Sequence, residues 1–205
     1  ARGRIASMIH QTPLLTSRHI DAISGARLFF KAEHLQRCGA FKARGATNAV
    51  ASMSEAAAAR GVATHSSGNH GAALAMAAAM RGIPAWVVMP DNAPRCKRAA
   101  TASYGAHIVP CKATMADRES TLAALVEQHG ATPVHPYEDF SVITGQGTVA
   151  LELIEQLDRF DTVVIPVGGG GLFAGMAVAL KALRPDIRLI AAEPAGADDA
   201  APGVA

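Results

Sequence analysis

Short runs of β-branched and apolar residues alternate with alanine-rich segments along this chain. The predicted strands lie at residues 27–33, 62–66, 85–90, 106–109, 162–167 and 188–193. The predicted helices lie at residues 42–53, 70–81, 94–104, 115–129, 145–157 and 172–183. This alternation is typical of parallel sheets covered by helices, so the sequence predicts an α/β fold. Ligands of open α/β sheets bind where the strands end, and the loops after strands are therefore the most informative segments.

Composition excludes several classes of partner. The 205 residues carry a formal net charge of only +2, and aromatic residues make up 4% of the chain. Neither value favours binding to nucleic acid or to an anionic membrane. The longest apolar run, residues 72–80, is about half as long as a membrane span requires. The odd count of cysteines (Cys38, Cys96 and Cys111) shows no metal-binding spacing, which predicts reduced thiols in a cytoplasmic protein.

A run of four glycines follows the predicted strand 162–167. It consists of Gly168, Gly169, Gly170 and Gly171. Glycines let backbone N–H groups close around an anion, and the following helix adds its positive N-terminus, so a phosphate site is predicted. The run also matches the dinucleotide fingerprint loosely, with Ala174 at the third small position and Glu193 about 20 residues on. A tight turn chosen only for packing is the third alternative.

A second polar loop follows the predicted strand 62–66. It reads Ser66, Ser67, Gly68, Asn69, His70 and Gly71. Serine and asparagine often cap helices, so a capping turn explains part of this composition. Six consecutive polar or glycine positions are more than a cap needs. The loop therefore predicts a substrate-binding role.

A third segment places a lysine between glycines at a predicted strand-to-helix junction. It runs Cys38, Gly39, Ala40, Phe41, Lys42, Ala43, Arg44 and Gly45. Of the five lysines in the chain, only Lys42 lies at such a junction. Partial desolvation there would lower the pKa of the amine and leave it free to form an imine. On spacing alone, a solvated first-turn lysine is the better interpretation.

Together the three segments resemble the serine/threonine dehydratase and serine racemase family, which has the type II fold of pyridoxal-phosphate enzymes. The likeness continues through Gly145-Gln146-Gly147-Thr148 and Ala191-Ala192-Glu193-Pro194. The histidine of the polar loop resembles the dehydratase branch rather than the cysteine synthases. The resemblance implies two parallel-sheet α/β domains with pyridoxal 5'-phosphate between them. It divides the chain into a large domain at 1–60, a small domain at 61–138 and the large domain continued at 139–205.

The resemblance also implies a role for each matching residue. Lys42 would hold the cofactor as a Schiff base and act as a base, and Ser67 would be the acid/base on the opposite face. Phe41 would lie against the cofactor ring, and Asn69 would bond its phenolic oxygen. The glycines 168–171 would bind the phosphate, while Ser66 and His70 would hold the substrate carboxylate. The implied reaction is β-elimination from L-serine, L-threonine or 3-hydroxyaspartate to a 2-oxo acid and ammonia, with racemisation as a further activity.

Two further sites are expected from the resemblance. Glu193, Ala197 and Asp199 match the oxygen ligands that metal-dependent members use for Mg²⁺, Ca²⁺ or Mn²⁺. Arg118 would pair with a second substrate carboxylate and favour 3-hydroxyaspartate. A solvated helix arginine between Asp117 and Glu119 explains Arg118 equally well.

The sequence departs from the family at two places. Ala40 replaces the serine usually found two residues before the lysine, and a hydroxyl near the cofactor is lost. Family members also continue beyond Ala205, and that part normally supplies the residue facing the pyridine nitrogen. We therefore expect an incomplete chain, which in its protein forms a homodimer acting on a small amino acid. The alternatives are a dinucleotide-dependent dehydrogenase and a cofactor-binding protein without catalysis.

Overall fold

The computed structural model describes residues 1–198 and 200. The helices are α1 (Arg2–Ile5), α2 (Arg18–Ser24), α3 (Lys42–Ser52), α4 (Glu55–Ala58), α5 (Asn69–Arg81), α6 (Arg95–Ser103), α7 (Met115–His129), α8 (Phe140–Gln146), α9 (Thr148–Gln156) and α10 (Gly171–Leu183). The strands are β1 (Leu14–Leu15), β2 (Phe30–Lys31), β3 (Val62–His65), β4 (Ala85–Pro90), β5 (His107–Cys111), β6 (Thr132–Pro133), β7 (Thr162–Pro166) and β8 (Arg188–Ala192). The α/β fold predicted from the sequence is confirmed.

A four-stranded parallel sheet occupies the middle of the chain. Its strands lie in the order β5-β4-β3-β6, and Val62 of β3 pairs with Ala85 of β4. Helices α5 and α7 pack against this sheet. The side chains of Leu74, Val87 and Val88 are completely buried there, because strands with helices on them must be apolar.

Strands β7 and β8 form a separate parallel pair. Helices α9 and α10 cover it, and the shared core contains Val149, Ile165, Leu180 and Ile187. Every second residue of β7 is buried, and Val164 between them is 61% exposed. This pair leads directly into the glycine run, since β7 ends at Pro166 and α10 begins at Gly171.

Two sequence predictions of secondary structure were wrong in extent. The predicted strand 27–33 is reduced to Phe30–Lys31 and pairs antiparallel with Leu14–Leu15. The strand is short at both ends. Before it, the N–H of Leu28 donates to Asp21 Oδ1 at 2.9 Å, and after it a 3-10 turn begins at Glu33.

The predicted helix 145–157 covers α9 and only the last two residues of α8, and the two helices meet at Gly147. Asp139 begins α8 by accepting hydrogen bonds from the N–H groups of Ser141 and Val142. The helix backbones approach closely here, because a Cβ on Gly145 would lie 2.6 Å from the Arg44 carbonyl oxygen. A Cβ on Gly147 would lie 2.7 Å from the Gly175 carbonyl oxygen. Only glycine fits these crossings.

A buried cluster of charges fixes helix α3 in place. Arg44, whose side chain is 0% exposed, donates to both oxygens of Glu33 at 2.7 and 2.8 Å. It donates to both oxygens of Glu152 at 2.5 and 2.9 Å. Lys31 also donates to Glu152, at 2.5 Å. The two cations and two anions balance, so the cluster is neutral. Its hydrogen bonds connect α3 to α9 and to the segment that contains Lys31 and Glu33.

Within residues 1–198 and 200, no helix combines the length and the apolar character that crossing a membrane requires.

Candidate active site

Lys42 is the first residue of α3, and its side chain turns into the protein. Its Nζ donates to the carbonyl oxygen of Pro136 at 2.7 Å and lies 5.2 Å from the centre of the Phe41 ring. Burial lowers the pKa of this amine from 10.5 to about 8, because a charged ammonium loses hydration there. The structure therefore favours the partly desolvated lysine expected from the sequence over a solvated first-turn lysine.

One cavity joins Lys42 to the glycine run. It has a volume of about 270 Å³ and is lined by Phe41, Lys42, Tyr137 and the stretch 166–172. The structure thus brings together all the residues assigned to the cofactor except Asn69. These residues come from places more than a hundred positions apart in the chain.

The glycine run is shaped for close approach. Gly170 has a φ of +80°, a left-handed conformation that favours glycine. A Cβ on Gly169 would lie 2.2 Å from the ring of Tyr137, so that ring occupies the space a side chain would need. Among the described residues, the backbone N–H groups of Gly168, Gly169 and Gly170 find no hydrogen-bond acceptor. These N–H groups lie beside the N-terminus of α10, which has no side-chain cap. A bound anion would therefore accept their hydrogen bonds.

These features fit pyridoxal phosphate. The unpaired N–H groups of the glycine run suit a phosphate, and the partly desolvated amine of Lys42 suits an aldehyde. Both face one cavity, and the ring of Phe41 adjoins the amine. The site therefore has a place for the phosphate and for the aldehyde of this cofactor.

The polar loop before α5 performs a capping role as well as any binding role. Ser66 Oγ accepts hydrogen bonds from the N–H groups of Gly68 and Gly71, at 3.3 and 3.0 Å. Its hydroxyl hydrogen stays available to donate. Ser67, the expected second acid/base, is exposed, so a substrate could reach it from solvent.

His70 is held in one protonation state by its surroundings. Its Nε2 lies 3.1 Å from the Val134 carbonyl oxygen, which can only accept, so Nε2 carries the proton. Burial, reinforced by the charge of Lys42, lowers the pKa of His70 to about 3. The remaining Nδ1 is a buried acceptor with no partner among the described residues. In this state the ring cannot donate from Nδ1 to a carboxylate, and its backbone N–H in the first turn of α5 is the better donor.

Asn69 lies at the start of α5 and is exposed. Its Oδ1 accepts a hydrogen bond of 2.5 Å from Lys97 Nζ, which comes from α6. The side chain is thus held by a neighbour that the sequence had not indicated.

Arg118 does not line the cavity between Lys42 and the glycine run. It lies in α7 near His65, whose pKa is lowered by burial, by His135 and by the charge of Arg118. Its Nε atom is buried and has no partner among the described residues. The structure therefore places Arg118 beside the end of β3, with one donor unused.

The residues expected to bind a metal follow β8. Glu193 is half-buried, and its carboxylate accepts from the Ala200 N–H at 3.1 Å. Ala197 is exposed in the turn between them, and Asp199 lies outside the described residues. Among the described residues, no three His, Cys, Asp or Glu side chains form a metal-binding group. The expected set contains only two such side chains and one backbone carbonyl, so this finding does not test it.

Sequence reasoning missed the segment between β6 and α8. The carbonyl of Val134 accepts from His70, that of Pro136 accepts from Lys42, and Tyr137 packs on the glycine run. The ring of His135 lies edge-on to Tyr137 at 4.6 Å. Backbone acceptors leave no signal in a sequence, but two aromatic rings around a proline, directly after a short strand, were a signal that could have been used.

Comparison with known proteins gives consistent matches. A serine racemase of Arabidopsis thaliana is 52% identical over 201 residues, which are 98% of this chain and 61% of that protein. A β-hydroxyaspartate dehydratase of Paracoccus denitrificans (strain Pd 1222) is 51% identical over 200 residues, which are 98% of this chain and 64% of that protein. The solved structure of maize serine racemase matches with a TM-score of 0.97 and 48% identity, covering 98% of this chain and 61% of that one.

The chain thus spans about three fifths of the length of these relatives. The sequence profile of a family described as pyridoxal-phosphate dependent enzyme matches residues 5–204. Since that match covers nearly the whole chain, the chain belongs to the family of pyridoxal-phosphate dependent enzymes.

Proposed function

We propose that the protein catalyses β-elimination of water from a small hydroxy-amino acid, giving a 2-oxo acid and ammonia. The observation that carries this proposal is that the partly desolvated amine of Lys42 and the backbone of the glycine run line one cavity. Family membership fixes the cofactor class, and the similarity to a serine racemase and a β-hydroxyaspartate dehydratase supports the substrate class. The dinucleotide alternative assigns no purpose to Lys42 and has no support from the comparisons.

The residues of this chain would divide the work as follows. The glycine run would hold the cofactor phosphate, and Lys42 would hold the cofactor aldehyde. When bound, pyridoxal phosphate supplies an electron sink that makes the α-proton of an amino acid acidic. The amine of Lys42 has a pKa of about 8, so near neutral pH it could take up that proton.

The polar loop would bind the substrate. The hydroxyl of Ser66 and the backbone N–H of His70 are donors at the N-terminus of α5, where a carboxylate is favoured. Ser67 is the group that would return a proton from the opposite face, which gives the D-amino acid. We therefore propose racemisation as a second activity of the same site.

Arg118 would select for a second carboxylate. Its buried, unused Nε donor is the observation that favours this role over a solvated helix arginine. A dicarboxylic substrate such as 3-hydroxyaspartate would supply the missing acceptor. An Arg118→Ala enzyme that keeps its full preference for hydroxyaspartate over serine would contradict the assignment.

A divalent cation is part of the proposal. Glu193, Ala197 and Asp199 would supply oxygen ligands for Mg²⁺, or for Ca²⁺ or Mn²⁺, as hard cations require. The carboxylate of Glu193 already turns back toward the segment that contains the other two. Addition of Mg²⁺ to chelator-treated protein should raise its thermal midpoint, and a Glu193→Ala variant should not respond.

The division into domains, the oligomeric state and the localisation are also proposals. The parallel sheet of β3–β6 lies within 61–138, the predicted small domain, and the parallel pair β7-β8 lies within 139–205, the continued large domain. We propose that the protein lies in the cytoplasm, for which the three free cysteines are the supporting observation. We propose a homodimer from the family resemblance alone.

The decisive experiment measures 2-oxo acid release from L-serine, L-threonine and 3-hydroxyaspartate. Each substrate is tested with Mg²⁺ and with chelator, in the parent protein and in its Lys42→Ala variant. We expect release that requires Lys42 and falls on chelation. A protein that binds the cofactor but releases no 2-oxo acid from any of the three would overturn the elimination proposal. It would leave racemisation alone, or cofactor binding without catalysis.

A further inference from the structure

Lys97 reaches from α6 to the polar loop. Its Nζ lies 2.5 Å from Asn69 Oδ1, although the two residues belong to different helices. The lysine is half-buried, and its positive charge is close enough to lower the pKa of Cys38 against the larger effect of burial. Lys97 therefore lies close to both the polar loop and the segment that carries Lys42.

The chemistry of this contact fixes the orientation of an amide. An ammonium group can only donate hydrogen bonds, so the amide atom that faces Lys97 must be the oxygen. The amide nitrogen of Asn69, with its two N–H donors, then faces the other way. Without Lys97 the two ends of the amide are nearly equal in shape, and either could face the cofactor.

We propose that Lys97 is a positioning residue, which orients Asn69 so that its N–H group donates to the phenolic oxygen of the bound cofactor. This inference rests on the proposed function and on the family resemblance, which implies that Asn69 bonds that oxygen. The oxygen carries negative charge when the cofactor is active. A correctly turned amide stabilises it, whereas a turned-over amide would place a carbonyl lone pair against it. Lys97 thus acts on the cofactor through Asn69.

The test compares four variants of the full-length protein. Lys97→Met removes the donor and the charge, Lys97→Gln keeps a donor without the charge, and Lys97→Arg keeps both. Arg95→Met is the matched control, because Arg95 is exposed on the same helix and makes no hydrogen bond among the described residues. For each protein, cofactor affinity is measured by fluorescence titration of the cofactor-free form. The pH midpoint of the visible absorbance of the bound cofactor is measured alongside.

We expect Lys97→Met to bind the cofactor about 3- to 10-fold more weakly, as the loss of one oriented hydrogen bond implies. Its pH midpoint should rise, because a less stabilised oxygen anion keeps a neighbouring proton longer. Lys97→Gln and Lys97→Arg should bind within about twofold of the parent protein, and Arg95→Met should match it in both measurements.

Two results would overturn the inference. One is parental affinity and an unchanged midpoint in Lys97→Met. The other is equal loss in Lys97→Gln and Lys97→Met, which would show that only the charge of Lys97 matters. Failure of the proposed elimination is distinguishable, since a protein that binds cofactor without releasing 2-oxo acid still gives both readings.

Discussion

Burial makes the amine of Lys42 chemically different from that of a solvated lysine. With a pKa of about 8, roughly a tenth of it is unprotonated at pH 7, against less than about a thousandth for an ordinary lysine. The pKa is lowered, so the reactive form appears as pH rises through 8 rather than through 10.5. This is the pH range in which the amine can attack an aldehyde.

Labelling of the cofactor-free protein checks this value. Lys42 should react with a small acylating reagent with a midpoint near pH 8, measured by peptide mass spectrometry. Peptides that contain the exposed Lys112 provide the internal reference for the reagent. A midpoint near 10.5 for Lys42 would show that its side chain is solvated.

Gly169 is the glycine in the run with the least room. In Gly169→Ala, the new Cβ would lie 2.2 to 2.5 Å from atoms of the Tyr137 ring. We expect a loss of about 1 to 3 kcal/mol in the free energy of unfolding, the usual cost of overpacking. Weaker cofactor binding should accompany it. Gly168→Ala is the matched control, because nothing lies within 4 Å of its Cβ position.

Denaturant unfolding of both variants provides the measurement. Equal stability of Gly169→Ala and Gly168→Ala would contradict the contact with Tyr137. Adding Tyr137→Ala to Gly169→Ala should relieve the strain, although the double variant loses the packing of the ring.

At the scale of elements, the tie between α3 and α9 depends on Glu152. Burial raises the pKa of this carboxyl, but hydrogen bonds from Arg44 and Lys31 outweigh it and hold the pKa below its usual range. Glu152→Gln would leave Arg44 and Lys31 with one carboxylate between them. We expect a loss of about 3 to 5 kcal/mol in the free energy of unfolding at pH 7, as for other broken buried pairs.

The pH dependence of this loss has a defined sign. Because the folded pKa of Glu152 is lowered, its stabilisation is fully present above the unfolded pKa of about 4.5 and is lost as pH falls through the folded pKa. The difference between the parent and Glu152→Gln should therefore shrink below pH 4.5. Glu155→Gln on the same helix is the control, since its ion pair with Arg2 is exposed and worth under about 1 kcal/mol.

The elements differ in how well their sequences predict them. Helix α7 was predicted with both ends correct, because Thr114 caps its start and Gly130 ends it in a left-handed conformation. Strands β3, β4, β5, β7 and β8 were each predicted within two residues, since runs of apolar residues mark buried parallel strands. Strand β6 was missed because its two residues are too few to form a pattern.

The candidate site was predictable where a short local pattern of residues indicates the chemistry. Lys42 and the glycine run were found from local patterns, and the structure places them on one cavity. Pro136 and Lys97 were not found, because each acts by a contact between segments distant in sequence. No local pattern encodes such a contact.

At the scale of the whole molecule, the cavity is a joint between three parts of the chain. Lys42 begins α3, the segment before α8 supplies Pro136 and Tyr137, and the glycine run precedes α10. A cofactor held by all three can bind only when they are folded together. Ligand that binds only the folded state must stabilise it.

We therefore expect pyridoxal phosphate to raise the thermal midpoint of the full-length protein in a concentration-dependent way. At a hundred times the dissociation constant, the gain in free energy of unfolding is about 2.7 kcal/mol. Lys42→Ala should keep only the part due to the phosphate, and inorganic phosphate should give a smaller shift of the same sign. Calorimetry measures the shift for the parent protein, for Lys42→Ala and for inorganic phosphate. A thermal midpoint that stays constant at every cofactor concentration would show that the cofactor does not bind across these three segments.

The contact between Gly169 and Tyr137 also limits the routes by which this sequence can evolve. A side chain at position 169 can be gained only after Tyr137 has been replaced by a smaller residue. In the opposite order, the intermediate protein would have a steric clash between the two side chains. The two positions should therefore covary among descendants, with a small residue at one wherever the other is large.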